Sequence, residues 1–171
     1  ILPAVYDDIQ GFTDKTIKAK QKGKWQLFSL TGNKLSTSTF DAIGELSDSI
    51  AVVKVRNQFG YINASAQPLT AVNFDYATDF AEGYAKVGKQ GKYGYIDKNF
   101  QLVIPYQFEQ SNNFVNGFAW FQDKGKFGVI DTEGNVLIPA MYDDSFFFVE
   151  GLAKVKKDGK FGFIDTRNQV V

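Results

Sequence analysis

The sequence predicts an all-β fold made of five tandem copies of one short unit with three to four strands. Three observations predict it. Landmark residues recur at a fixed spacing of 34, short apolar runs alternate with Gly-containing turns, and helix signals are scarce in a chain with seventeen Phe, eight Tyr and two Trp. The copies run approximately over 3–36, 37–70, 71–104, 105–138 and 139–171, and together they are read as a single repeat domain over 1–171. Gly60, Gly94, Gly128 and Gly162 stand 34 apart, and Gln26 falls on the preceding step. The aromatic before each follows the same register: Trp25, Phe59, Tyr93, Phe127 and Phe161. A second landmark, Tyr6, Phe40, Phe74, Phe108 and Tyr142, is followed each time by an acid. No insertion or deletion breaks the period.

Each element of a copy has its own signal. "GLAKVKKD" (151–158) alternates as a strand does, with Ala153 and Val155 on one face. Asp158-Gly159 then suits a tight hairpin turn. "KFGFID" (160–165) is the second strand, apolar on both faces. The polar residue at its end, Asp165, Asp131, Asp97, Asn63 or Ser29, can accept from the amides of the following turn. A third strand is clearest as "QLVIP" (101–105) and "NVLIP" (135–139), and the proline is expected to close it because it lacks an N–H for the ladder. The glycine of the second strand is expected to leave room for an aromatic ring from the adjoining copy.

The phase of the ends suggests an arrangement of the copies. Ile1 and Val171 occupy the same phase, and "NQVV" followed by "LPAVYDD" reproduces the junction "NVLIPAMYDD" (135–144). A closed, five-bladed, propeller-like ring is therefore the favoured expectation, with an open β-solenoid as the alternative. A first residue that is Ile rather than Met implies that an upstream segment was removed.

Composition excludes several function classes. Nineteen basic and nineteen acidic residues cancel, so no net field draws the chain to nucleic acid or anionic lipid. Without cysteine there are no disulfides, thiolate nucleophiles or zinc-thiolate sites. Without histidine the usual general base and the usual metal ligand are missing. No apolar segment is long enough to span a bilayer, so no membrane insertion is expected. No catalytic, metal or cofactor residue is assigned, and no cofactor is implied.

The pattern F-x-x-G-[LYF]-A-x-V, then G-K-[FY]-G-[FYV]-I-D, then V-I-P, then [YF]-D resembles the bacterial WG repeat, also called the KWG repeat. The resemblance is strongest in copies three to five and weakest in copy one, where Trp25 is followed by Gln26 rather than glycine. It implies a β-rich repeat array in a bacterial protein, with no enzymatic chemistry and no catalytic residues to carry over. It also implies export to the periplasm or cell envelope, or secretion, for some relatives.

The acids after the second landmark (Asp7, Asp41, Asp75, Glu109 and Asp143) could in principle ring a cation. Bonding to turn amides and pairing with the lysines at 24, 92, 126 and 160 explains them better. Asp7-Asp8 and Asp143-Asp144 are sequence neighbours, a poor fit to the two carboxylates of a glycosidase facing across a cleft. Sites are better sought where one copy departs from the others. Trp120 takes a phase held elsewhere by Lys18, Val52, Lys86 and Lys154. Phe146 and Phe147 replace Gln10-Gly11, Gly44-Glu45, Thr78-Asp79 and Asn112-Asn113. These three form the expected partner-binding patch, which Tyr84 and Phe118 extend.

Together these readings describe a non-catalytic binding scaffold for a protein partner, one version being an exported bacterial inhibitor or immunity protein. A carbohydrate- or cell-wall-binding module is the alternative. A sugar binder built from repeats should keep its aromatic site in several copies, whereas Trp120 and Phe146-Phe147 occur once.

Overall fold

In a computed structural model, which describes residues 2–171, every regular element is a β-strand. The strands gather into two units, Ile1–Phe80 and Ala81–Val171. In the first unit β1 (Asp8–Gly11), β2 (Thr16–Gln21) and β3 (Lys24–Ser29) form one antiparallel sheet. A second sheet joins β4 (Ala42–Ile43), β5 (Ile50–Val55) and β6 (Gln58–Asn63), and β7 (Tyr76–Ala77) follows. Their buried faces meet in a core around Leu27, Phe40, Val53 and Ile62.

In the second unit β8 (Tyr84–Lys89), β9 (Lys92–Asp97) and β10 (Leu102–Phe108) lie side by side. The most complete copy is the sheet of β11 (Gln110–Ser111), β12 (Phe118–Asp123), β13 (Lys126–Asp131) and β14 (Val136–Tyr142). The last copy contributes the hairpin of β15 (Leu152–Lys157) and β16 (Lys160–Asp165). One core gathers Tyr95, Ile104, Phe114 and Ile130, and another gathers Val129, Ile138, Tyr142, Phe146 and Ile164. Each isoleucine in these cores contributes about 1.5–3 kcal/mol by leaving water.

The hairpins obey the turn chemistry read from the sequence. Asp158 and Gly159 have φ of 51° and 77°, and Lys124-Gly125 repeats this with 49° and 74°, the paired positive φ of a type I′ turn. A second such turn precedes each first strand of the later copies: Glu82-Gly83, Asn116-Gly117 and Glu150-Gly151. Each closes a small hairpin, as in the bridge between Val149 and Leu152.

Two local expectations need correcting. Proline does not close the third strand, since β10 runs through Pro105 and β14 through Pro139. The register shifts between the Val129–Ile138 and Phe127–Tyr142 pairs, so proline sits at an irregularity that spares the ladder its missing N–H. Nor does the second-strand glycine face a ring from the neighbouring copy. A Cβ on Gly128 would lie 2.8 Å from Pro139 C and Ala140 N, and nearer still to the Ile138 carbonyl oxygen. Glycine is needed here because the bulged third strand crosses its own sheet so closely.

Candidate functional site

Around β12 and the segment before β15, the second unit carries a cleft of about 190 Å³. Phe118, Trp120, Phe147 and Phe148 supply aromatic walls, and Glu150 supplies the single carboxylate among the described lining residues. None of those residues is basic.

Trp120 sits in mid-β12 opposite Val129. Its backbone N–H donates to Asn112 Oδ1 at 2.7 Å, and the Asn112 N–H donates back to the Trp120 carbonyl at 3.3 Å. The indole meets Phe127 edge-on at 5.5 Å between centroids. Its Nε1 is buried without an acceptor among the described residues, a notable state for a donor that costs free energy to leave unpaired.

The five residues expected to form the patch occupy different environments. Phe147 is 55% exposed, whereas its neighbour Phe146 is 5% exposed and belongs to the core. Phe146 packs edge-on against Tyr142 at 5.1 Å and Phe148 at 6.1 Å, and forms part of the cleft's lining. Phe118 packs on Phe148 at 5.8 Å and also lines the cleft. Tyr84 does not line it; its ring lies against Phe114 at 5.3 Å, over the other core of this unit. The structure thus groups Trp120, Phe118, Phe146 and Phe147, and sets Tyr84 apart from them.

The repeat explains why Phe146 is buried. In copy three, Tyr95 fills the core and its hydroxyl donates to the Asn112 carbonyl at 2.5 Å; burial pushes this phenol well above its ordinary pKa. In copy two, Tyr61 does the same toward the Thr78 carbonyl at 2.8 Å. One period later Tyr95 becomes Val129 and Asn112 becomes Phe146. The smaller residue leaves room, and the phenylalanine occupies it within the same core.

A second exchange is paired in the same way. Lys18, 4% exposed, bonds Glu45 at 3.1 Å from one copy to the next. The same two phases at the cleft hold Trp120 and Phe147. Where copies one and two place an ion pair at these phases, copies four and five place two aromatic side chains lining one cleft.

Sequence reasoning missed Glu150, Asn112 and Phe148. Glu150 shares its phase with Glu82 and Asn116, and that phase was the signal. Glu82 accepts from the backbone N–H groups of Asn116 and Gly117, at 2.6 and 2.8 Å, through its two carboxylate oxygens.

The geometry defines a class: an all-β repeat scaffold with an aromatic cleft built from copies four and five. The WG containing repeat matches residues 1–25, 59–93, 93–127 and 127–161. The chain belongs to the WG containing repeat family. Residues 26–58 and 162–171 lie outside the matches, and the first of these begins at Gln26, where the glycine has been lost. No curated protein matches the chain in sequence. Among solved structures, Hsv2 of Kluyveromyces marxianus is similar, with a TM-score of 0.54 and 9% identity, over 92% of this chain and 57% of that one. Hsv2p of Kluyveromyces lactis has a TM-score of 0.53 and 11% identity, over 96% and 61%. These neighbours are β-propeller-like, and the likeness is one of fold. The chain spans about three fifths of their length.

Proposed function

We propose that this chain is a non-catalytic binding scaffold that docks a protein partner on the face formed by Phe118, Trp120 and Phe147. The pairing of Trp120 with Phe147 carries the reading, because the two phases that hold Lys18 with Glu45, Val52 with Asp79 and Lys86 with Asn113 hold here two aromatic residues of the kinds enriched at interfaces. Repeat folds of this kind commonly act as binding scaffolds, which supports assigning the face to recognition rather than chemistry. Aromatic residues take the phases of Trp120 and Phe147 in one copy each, favouring a single macromolecular partner over a sugar bound copy by copy. An exported inhibitor or immunity protein is one form such a scaffold could take, in keeping with the absence of His and Cys.

The test uses a variant that the scaffold itself suggests. Trp120→Lys with Phe147→Glu recreates the ion pair made by Lys18 and Glu45, so the variant should stay folded while losing the aromatic face. Quantitative affinity capture from the source organism should then recover the wild-type partner in wild type and at least tenfold less in the variant. Equal recovery by two equally stable proteins would refute the assignment. Binding of the wild type to a glycan array, abolished in the same variant, would instead establish the carbohydrate reading.

A further inference from the structure

We infer that the cleft beside Trp120 binds an organic cation, an alkylammonium or guanidinium group held over its aromatic rings and against Glu150. The inference deepens the docking reading of the same face and rests on it for the location of the site.

The first argument is how this scaffold treats the same positions elsewhere. In other copies a lysine lies over the aromatic ring at the phase of Phe127. Lys18 and Lys20 stand 5.8 and 5.5 Å from the Trp25 ring, Lys54 stands 5.3 Å from Phe59, and Lys154 stands 4.5 Å from Phe161. All are within the range at which a cation is attracted to an aromatic face. In copy four both lysine phases are uncharged, since Trp120 replaces Lys18, Lys86 and Lys154, and Gln122 replaces Lys20 and Lys156. Phe127 meets an indole there instead of an ammonium. The copy has lost its own cation and gained a second ring.

The second argument is the electrostatics of the cleft. Phe118, Trp120, Phe147 and Phe148 line the cleft with rings of the kind that attract a cation, Glu150 adds a carboxylate, and no described lining residue is basic. An anion would find no counter-charge here. A neutral apolar group would leave the carboxylate without a role. At about 190 Å³ the space suits a side chain or a small quaternary ammonium rather than an extended ligand. Glu150 lines this cleft at the phase where Glu82 takes two donors at once through its two oxygens.

The cation has two sources with shared chemistry, a free small molecule or a Lys or Arg side chain of the docked partner. The experiment is a titration followed by the indole N–H signal of Trp120, with Trp25, already covered by its own lysines, as internal control. The probes are tetramethylammonium chloride, Nα-acetyl-Nε-trimethyllysine methylamide, Nα-acetylarginine methylamide and the neutral Nα-acetylnorleucine methylamide. We expect at least one cationic probe to shift Trp120 and the norleucine probe to leave it unmoved. Glu150→Gln should weaken that binding about tenfold, the loss of one charge-assisted contact. Binding of tetramethylammonium as tight as that of the amino-acid probes identifies a free-ligand site, and binding of the amino-acid probes alone identifies a partner's side chain. Equal shifts from norleucine, no shift from any cation, or undiminished binding in Glu150→Gln would each overturn the inference. The two readings fail separately. Partner capture lost in Trp120→Lys/Phe147→Glu but intact in Glu150→Gln keeps the docking face and removes the cation. A Glu150-dependent titration of wild type, with capture unaffected by the double variant, keeps the cation and removes the docking face.

Discussion

Val129 and Phe146 trade volume across two copies, and a trade of this kind can be measured. Val129→Tyr alone places a ring where Phe146 already packs, and Phe146→Asn alone removes a buried ring beside a valine too small to compensate. Together they restore the Tyr95–Asn112 pairing of copy three. Each single change should cost roughly 1–4 kcal/mol, and the double should recover part of that, with a coupling of about 1–3 kcal/mol in chemical denaturation. Strict additivity would show that the two positions do not share one space. Gly128 and Gly162 form a second contrast. A Cβ on Gly128 collides with backbone of β14, whereas one on Gly162 meets nothing within 4 Å. Gly128→Val should lower stability by about 1–3 kcal/mol through overpacking, while Gly162→Val should be close to neutral. Thermal melts of the two variants compare them directly. At this scale the departures of single copies were legible, and Trp120 and Phe147, two of them, line the same cleft. The sequence was not legible for Phe146, because burial there depends on a partner seventeen positions away that no local pattern names. Tyr84 had a different reason: a tyrosine after a turn glycine reads the same whether it lines a cleft or caps a core.

Hairpins are joined to their neighbours by carboxylates. Asp143 accepts from the Gly159 N–H at 2.8 Å in the type I′ turn of β15 and β16, and from Lys126 Nζ at 2.6 Å on β13. The turn amide first, then Lys126, holds its carboxyl below the ordinary 3.8. Asp41 repeats the arrangement with Lys24 and the Arg56 N–H, again lowering its pKa, and Glu109 accepts from the Gly125 N–H at 3.2 Å. A depressed folded-state pKa stabilises above the unfolded value, and that contribution is lost as pH falls through the folded value. Melting temperatures should therefore hold steady above about pH 4 and drop in stronger acid. Asp143→Asn should melt lower than wild type at neutral pH, and the gap should narrow as acid protonates the wild-type carboxylate. A gap that persists unchanged in acid would show that these bonds do not carry the pH dependence. The strands, turns and linking acids were all legible from periodicity, since each copy confirms the others. The course of the third strand was not, because proline signals a lost hydrogen bond but not whether the chain stops or bulges around it.

Across the molecule, nineteen positive and nineteen negative charges leave no net field to steer a partner. Association should therefore proceed at roughly the 10⁵–10⁶ M⁻¹s⁻¹ of an unsteered encounter. Raising the salt concentration should change this rate little, and should act mainly on dissociation through the Glu150 contact. A steep fall in the association rate with salt, in stopped-flow measurements, would locate a charged surface outside the cleft. The all-β repeat character was legible at this scale because a period of 34 without a slip is itself an architectural statement. The ligand was not, because a repeat records what every copy needs for folding, and the proposed cleft lies where copies four and five depart from the rest.

The exchange between Val129 and Phe146 also bears on history. If the copies arose from a common ancestor resembling copies two and three, position 129 began as tyrosine and position 146 as a small polar residue. A phenylalanine arriving first would have met a full core, whereas a valine arriving first would have left a tolerable void. The order of events is then constrained: the core residue shrank, and the ring followed into the space. In that sequence Phe147, the exposed neighbour of the incoming ring, came to stand at a cleft whose floor had just been rebuilt.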